Sequence, residues 1–380
     1  MLPSVIVGVA LLSLLAPLRE GRAPAGDPPP EAWRPPPLPV TVSYAWRDVC
    51  VYRGPQSRFP QRPLACPAWR LAVWTRGTAR VGTPMGESGR LQQIVIPDAP
   101  GALRDDQGEL PFNAHFGLPF AVSPDGRRIA YFSAVESRFV AHDLPGGRRV
   151  RLAPRTEVPA YDQEFFDLDV SADGRFFSTA FLKGRPRIRL TDFTTGRTRV
   201  LKDVCEVLSL GRDARRIIGV PCSGSPYDRY GVRFTVAVFD GQGVRIGGLP
   251  RRFWKRTGEI LPDGGRIAES YHGKPSGPGG LPPGACSPRS LVVESPVPGR
   301  VRRVVRLPCF TGALRWGAVV GDRMLLEHSR SGKREMYQVD LSTGVTRQVI
   351  DPVPLGIPLH IVVGTPPTGP VVPPEVSPAS

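Results

Sequence analysis

The pattern of apolar and polar residues is clearest in two similar stretches, FAVSPDGRRIAYFS at residues 120–133 and LDVSADGRFFSTAF at residues 168–181. In each, an apolar run enters a Ser-Pro-Asp-Gly or Ser-Ala-Asp-Gly step, and a second apolar run follows it. The step predicts a tight turn between antiparallel strands, because Asp bonds its own backbone and Gly supplies a positive φ. The nearly continuous second run is typical of a strand that is buried on both faces.

Weaker copies of this hairpin occur at residues 208–220 (LSLGRDARRIIGV) and 259–270 (EILPDGGRIAES). We assign a structural role in these turns to the acidic residue and the glycine that follows it. These residues are Asp125, Gly126, Asp173, Gly174, Asp263 and Gly264. The three carboxylates resemble calcium ligands in type, but their turn positions explain them better.

A second turn accompanies the first, with an Asp four residues before a Gly in AHDLPGGRRVRL, TDFTTGRTRVL and QVDLSTGVTRQV. In looser form the glycines of this turn are Gly89, Gly147, Gly196, Gly243, Gly299 and Gly344. A period of about fifty residues with four short strands predicts an all-β fold, the β-propeller, with four antiparallel strands per blade. We predict six blades. Seven are the alternative, because PLPVTVSYAW and PLHIVV are unassigned strands near the two ends that could form one blade together.

The SPDGRRIAYFS stretch resembles the repeat of the TolB-like, WD-type β-propellers, which are periplasmic and also form the non-catalytic propeller of prolyl oligopeptidases. The resemblance extends over residues 40–363 and is carried by residues 120–133 and 168–181. The first unit has no acidic turn, and the sixth has VVGDRM in its place. The resemblance implies the fold and leaves the activity open, because propellers include enzymes, receptors and scaffolds.

The two ends of the chain differ in composition from the repeats. Residues 1–25 contain an apolar run with the length of a signal-peptide core, and no Lys or Arg precedes it. We predict a signal peptide, with an N-terminal membrane anchor as the alternative. Residues 26–39 are predicted as a Pro-rich linker, residues 40–363 as the propeller and residues 364–380 as a Pro-rich disordered tail.

The six cysteines indicate export, because an even set in an extracytoplasmic chain usually pairs. Residues equidistant from a hairpin turn face each other on adjacent strands, at a separation that suits a disulfide. This rule predicts the pairs Cys50 with Cys66, Cys205 with Cys222, and Cys286 with Cys309. None has the two-residue spacing of a zinc site, so metal binding is the lesser alternative.

The net charge of +16 raises the question of nucleic acid. The basic residues are mostly Arg, spread along strands and turns without interleaved aromatic residues. We therefore expect a solvated basic surface and no nucleic-acid partner. Outside a cell, such a surface attracts anionic lipid or acidic wall polymers.

Motifs of enzymes are scarce. There is no G-x-S-x-G nucleophile elbow, and the histidines (His115, His142, His272, His328 and His360) form no HExxH motif. His115 and His272 fall in or beside loops and are candidates for ligand contact, whereas His142 lies on a predicted strand and is assigned a structural role. Residues 236–248 imitate a dinucleotide fingerprint, but their spacing favours a hairpin turn. Residues 272–286 are the best candidate for a recognition loop, with unselected surface variation as an equal alternative.

These observations favour an exported, monomeric, non-catalytic propeller without a cofactor, which acts as a binding or protein-interaction scaffold in the cell envelope. Its expected partner is another envelope protein or an acidic envelope polymer. One alternative is a lactonase-like or lyase-like enzyme with a metal in the central channel; the single Asn of the chain, Asn113, weighs against it. The other alternative is a polyanion-binding surface protein.

Overall fold

A computed structural model describes residues 40–47, 50–52, 63–75, 90–111, 117–156, 160–183, 186–222, 236–248, 261, 266–271, 289–295, 301–308, 313–320, 322–330, 333–349, 360–363 and 368–372. Several predictions from the sequence fall outside these residues. They are the N-terminal segment and linker, Cys286 with Cys309, Asp263 and Gly264, His115, His272, and the loop at residues 272–286.

The described residues contain 26 β-strands. The first thirteen are β1 (Val40–Arg47), β2 (Val51–Tyr52), β3 (Pro63–Ala65), β4 (Arg70–Thr75), β5 (Arg90–Val95), β6 (Phe120–Val122), β7 (Arg128–Ser133), β8 (Arg138–Asp143), β9 (Arg149–Arg151), β10 (Phe166–Val170), β11 (Phe176–Phe181), β12 (Arg189–Asp192) and β13 (Thr198–Val200). The others are β14 (Val204–Leu210), β15 (Arg216–Pro221), β16 (Ala237–Asp240), β17 (Arg245–Gly248), β18 (Arg266–Tyr271), β19 (Arg289–Glu294), β20 (Val301–Arg306), β21 (Ala313–Val320), β22 (Arg323–Arg330), β23 (Lys333–Asp340), β24 (Thr346–Val349), β25 (His360–Val363) and β26 (Thr368–Val372). A short 3-10 helix at Ala160–Phe165 precedes β10.

The strands form consecutive antiparallel sheets, which are the blades of a β-propeller. In strand order the sheets are β25-β1-β4-β5, β6-β7-β8-β9, β10-β11-β12-β13, β14-β15-β16-β17, β18-β19-β20 and β21-β22-β23-β24-β26, with β2-β3 as a separate hairpin. Five of these sheets have four or more strands, and β18–β20 occupy the place of the fifth predicted blade. The innermost strands of neighbouring blades contact each other, as β25 contacts both β6 and β21, and β10 contacts both β6 and β14.

The two ends of the propeller meet in one blade. Strand β25 pairs with β1, with Tyr44 opposite Val363 and Arg47 opposite His360. The unassigned strands of the sequence therefore complete the first blade and do not form a seventh. This pairing closes the ring by hydrogen bonds between the first and the last blade segments and removes two sheet edges.

The hydrophobic core lies between blades, and strand alternation explains why. On β7, Ile129 and Tyr131 pack toward the first blade, whereas Ala130 and Phe132 pack toward the third blade. A strand that contributes to a core on each face needs apolar residues at every position. This requirement explains the run IAYF, in which apolar residues do not alternate with polar ones.

The Asp-Gly turns have the geometry that the sequence predicts. At the first turn, the amide of Gly126 donates to the carbonyl of Ser123 (2.8 Å), and Asp125 accepts from the Ser123 hydroxyl (2.5 Å). Gly126 has a φ of 68°. Asp173 and Gly174 repeat these contacts with Ser171.

Each of these turns also contacts the preceding blade. The carbonyl of Gly126 accepts from the amide of Val42 on β1 (2.7 Å), and the carbonyl of Gly174 accepts from the Arg128 side chain (2.7 Å). The turns therefore fix one blade against the next as well as reversing the chain.

Two disulfides join residues that the sequence pairs. Cys50 and Cys66 flank β2 and β3, with their Cα atoms 4.2 Å apart. Cys205 on β14 and Cys222 after β15 have their Cα atoms 4.9 Å apart. Each bridge lies within one blade segment, and both bridges are compatible with an exported protein. Within the described part of the chain, no helix is both long and apolar enough to span a membrane.

The prediction of a disordered tail at residues 364–380 is wrong for five of its residues. Thr368–Val372 form β26, which pairs antiparallel with β24 at the outer edge of the last blade. The Pro-rich composition led to the wrong prediction because a residue such as Pro370 argues against a central strand. On an edge strand Pro is tolerated, because its missing amide faces away from the sheet.

Candidate functional site

A groove at the outer edge of the second blade is a cavity among the described residues. It has a volume of 580 Å³ and is lined by His142, Gly147, Arg148, Arg149, Val150, Arg151 and Gly196. All but one of these residues lie in the β8–β9 hairpin, and Gly196 lies in the β12–β13 turn. The volume is within the usual range for ligand pockets, about 300–1,000 Å³.

The second turn of the repeat places the arginines of this groove. The amide of Asp143 donates to the carbonyl of Arg148 (2.8 Å), and the Asp143 carboxylate accepts from the amide of Gly146 (2.9 Å). Strand β9 then starts directly, and its side chains alternate between faces. Val150 is buried in the core between blades, so Arg149 and Arg151 share the opposite face of the strand.

Arg149 is held in position by two carboxylates. Its Nη2 lies 3.5 Å from the Oδ2 of Asp98, and its Nη1 forms an ion pair with Glu136. Asp98 is fully buried and also accepts from the hydroxyl of Ser133 (2.8 Å) and the amide of Val135 (3.1 Å). Asp98 follows β5, so the connection from the first blade positions an arginine of the second.

Positive charge exceeds negative charge around the groove. Glu136 is shared by Arg149, by Arg151 (Nε to Oε2, 2.9 Å) and by Arg138 (3.7 Å). Arg148 stacks its guanidinium over the Phe193 ring at 5.5 Å, and it has no carboxylate partner among the described residues. The groove thus has three arginines, Arg148, Arg149 and Arg151, beside the two carboxylates of Glu136 and Asp98, and the Arg151 side chain is 68% exposed. The arrangement suits an anionic group, since Arg donates several N–H bonds to carboxylate or phosphate.

His142 of the groove packs against the buried side chain of Tyr131. Their rings are stacked with centroids 5.5 Å apart, and the Tyr131 hydroxyl lies 3.1 Å from His142 Nε2. Burial, together with the nearby Arg149 charge, lowers the pKa of His142 to about 3. Burial and the negative charge of Asp98 raise the pKa of Tyr131 well above its usual value. The arginines alone therefore set the sign of the potential, and the structural role assigned to His142 agrees with its burial.

The innermost strands of two neighbouring blades carry carboxylates close to each other. Asp167 and Asp169 lie on the innermost strand β10, and Glu206 lies on the innermost strand β14. Burial and repulsion from Glu206 raise the pKa of Asp167 to about 7. No group of three or more His, Cys, Asp or Glu side chains that could hold a metal ion occurs among the residues that the structure describes. The sequence analysis did not identify these carboxylates, although their alternation on β10 (FDLDV) is visible in the sequence.

Some of the dispersed arginines recur at equivalent places in the repeat. The strands that follow the second turn, β9, β13, β17, β20 and β24, carry Arg149, Arg151, Arg199, Arg245, Arg302, Arg303, Arg306 and Arg347, and none of these strands contains Asp or Glu. These strands lie tens of residues apart in the sequence, and the repeat places them at equivalent positions in successive blades. The expectation of dispersed Arg therefore stands, and the groove is one place where three arginines come together.

The other residues that the sequence identified do not line the groove. Asp125, Gly126, Asp173 and Gly174 serve the turns. Residues 236–248 form the β16–β17 hairpin, with Gly243 at a φ of 82°. His328 is buried, with its Nδ1 3.2 Å from Glu335 Oε2, and His360 lies on β25 opposite Arg47.

No family model matches the chain, and no curated protein matches it in sequence. Solved structures with related architecture include TolB from Acinetobacter baumannii, with 14% identity, a TM-score of 0.40, and coverage of 85% of this chain and 66% of that chain. The chain is a β-propeller. A second similar structure is the Pyrococcus horikoshii acylaminoacyl peptidase, with 14% identity, a TM-score of 0.33, and coverage of 59% of this chain and 38% of that chain.

A third is the β-propeller domain of the Trilobed protease from Pyrococcus furiosus, which is described as having an open velcro topology. Its identity is 15% and its TM-score 0.34, with coverage of 65% of this chain and 74% of that chain. The chain spans less than two thirds of the length of the TolB and peptidase chains. The function of this chain is therefore argued from its own residues.

Proposed function

We propose that this protein is an exported, monomeric, non-catalytic β-propeller that works as a binding module in the cell envelope. We further propose that the groove at the outer edge of its second blade binds the acidic groups of an envelope polymer. The observation that carries the proposal is the excess of arginine over carboxylate in a cavity of 580 Å³.

The fixed positions of the arginines support binding. Arg149 is held by Asp98 and Glu136, and Arg148 rests on Phe193. Side chains that are already ordered lose less conformational entropy when a ligand arrives, which increases affinity. Arg148 and Arg151 remain exposed, so an anion can reach them without breaking the buried contacts of Asp98.

The extracytoplasmic location is supported by the disulfides. Cys50–Cys66 and Cys205–Cys222 would not persist in a reducing compartment, where disulfides are rare. In an envelope, carboxylate-bearing and phosphate-bearing polymers are available to a basic surface. The compartment and the charge of the groove therefore favour the same class of partner.

The test is a binding titration of the full chain with polyglutamate and with inorganic polyphosphate over a series of salt concentrations. We expect saturable binding that weakens as salt is added, because salt screens charges that face solvent. The double variant Arg148→Ala with Arg151→Ala should weaken binding about tenfold or more, since charge-assisted bonds to Arg are lost.

The matched control is Arg245→Ala with Arg347→Ala, which removes the same charge from exposed positions on β17 and β24. This control should retain most of the affinity. Equal losses in both variants, or no saturable binding by the parent protein, would contradict the assignment of the groove.

A further inference from the structure

The outer edge of β20 has a surface that differs from the groove. Strand β20 pairs with β19 on one side, with Leu291 opposite Val305 and Val293 opposite Arg303. Its other edge pairs with no strand in the described part of the chain. Such an edge presents backbone N–H and C=O groups to solvent and can accept a further strand.

The neighbouring blade shows that this edge position accommodates an added strand. The equivalent strand β24 is covered by β26, with Thr346 opposite Val372 and Arg347 opposite Val371. Strand β26 comes from the segment after the ring closes and adds a fifth strand to its sheet. The same geometry on β20 would leave a place for a strand from another molecule.

The side chains of β20 define what that strand should carry. Arg302, Arg303 and Arg306 are exposed, and the strand contains no acidic residue. Val301 is 56% exposed and Val304 is 49% exposed. Arg303 and Val305 share one face of β20, and Val304 and Arg306 share the other face. A partner strand with acidic residues on either face would therefore place carboxylates near an arginine.

The charges also argue against a second copy of this chain as the occupant. Pairing of β20 with another β20 would bring arginines together, and like charges on facing strands destabilise a sheet. We propose that the edge of β20 binds an extended acidic segment of a partner protein by strand addition. Protection of the edge against self-association is the competing explanation of the arginines, and the experiment separates the two.

The experiment uses the full chain and a synthetic eight-residue peptide that alternates Glu and Val, with a Lys and Val peptide as the comparison. The Glu peptide should bind, and amide hydrogen exchange should slow in β20 but not in the exposed strand β17. The Lys peptide should not bind. The variant Arg303→Glu with Arg306→Glu should weaken binding of the Glu peptide about tenfold or more, because rim charges control encounter with a charged partner.

The matched control is Arg245→Glu with Arg347→Glu, which makes the same change of charge on strands β17 and β24. It should keep the affinity close to that of the parent protein. The substituted residues are exposed, and an unchanged unfolding transition will show that each variant is folded. Absence of binding would assign the arginines to edge protection and overturn the proposal. Binding without slower exchange in β20 would overturn it as well.

Discussion

The contact of the Gly126 turn with the first blade allows a quantitative prediction. Gly126 has a φ of 68°, and a Cβ built there would lie 2.6 Å from the carbonyl oxygen and 3.0 Å from the amide nitrogen of Val42. These are backbone atoms and cannot rotate away. Gly196 has a φ of 73°, yet a Cβ there would meet no atom within 4 Å. The two glycines therefore share the backbone conformation and differ in whether other atoms lie close to them.

Gly196→Ala should cost about 1 kcal/mol, because the left-handed conformation costs roughly 1–2 kcal/mol and the stiffer unfolded chain returns about 0.4–1 kcal/mol. Gly126→Ala has the same backbone cost and the same gain from the stiffer unfolded chain. It also forces the turn away from β1, which adds about 1–3 kcal/mol for overpacking and about 1 kcal/mol for the hydrogen bond from Val42. The total is about 3–5 kcal/mol, so the two variants should differ by at least about 2 kcal/mol.

The assay is urea unfolding of both variants and the parent protein, followed by tryptophan fluorescence. The midpoint should fall much further for Gly126→Ala than for Gly196→Ala, at similar slopes. Equal midpoints in the two variants would refute the reasoning, since they would show that the turn does not pack against the first blade.

Three further predictions concern the disulfides and the titrating groups. Replacing Cys205 and Cys222 together with Ser should cost about 3 kcal/mol in urea unfolding, and non-reducing peptide mapping of the native protein should show this bridge intact. The raised folded pKa of Asp167 predicts that stability falls as the pH rises from about 4, the unfolded pKa, to about 7, and that Asp167→Asn removes this fall. A stability that rises over this range in the parent protein would contradict the burial of Asp167. His142 should stay neutral down to about pH 3, and an imidazole NMR titration near pH 6 would disprove its burial.

The turns and the blades could be predicted because their signals are local. Ser123, Asp125 and Gly126 lie within four positions of one another, and the hydrogen bonds they form require no distant partner. The third turn shows the limit of the pattern, because Ala214 adopts a φ of 51° where the other turns have Gly. Closure of the ring could be anticipated as well, since two unpaired strands at opposite ends needed partners.

The groove could not be predicted in the same way. Its arginines are positioned by Asp98, which comes from the connection after the first blade, and by Phe193 in the third blade. Neither residue is near Arg148 in sequence, and only the stacking of blades brings them together. Strand β26 was missed for a related reason, because its stability comes from the edge of β24 and not from its own composition.

The central claim is that the groove binds an anionic group, and arginine modification within a single molecule tests it most directly. The full chain is treated with phenylglyoxal, with and without tripolyphosphate, and the reaction rate of each exposed arginine is followed by peptide mass mapping. The account predicts that tripolyphosphate slows modification of Arg148 and Arg151 while Arg245, Arg303 and Arg347 keep their rates. Slowing of all five to the same extent, or of none, would contradict it.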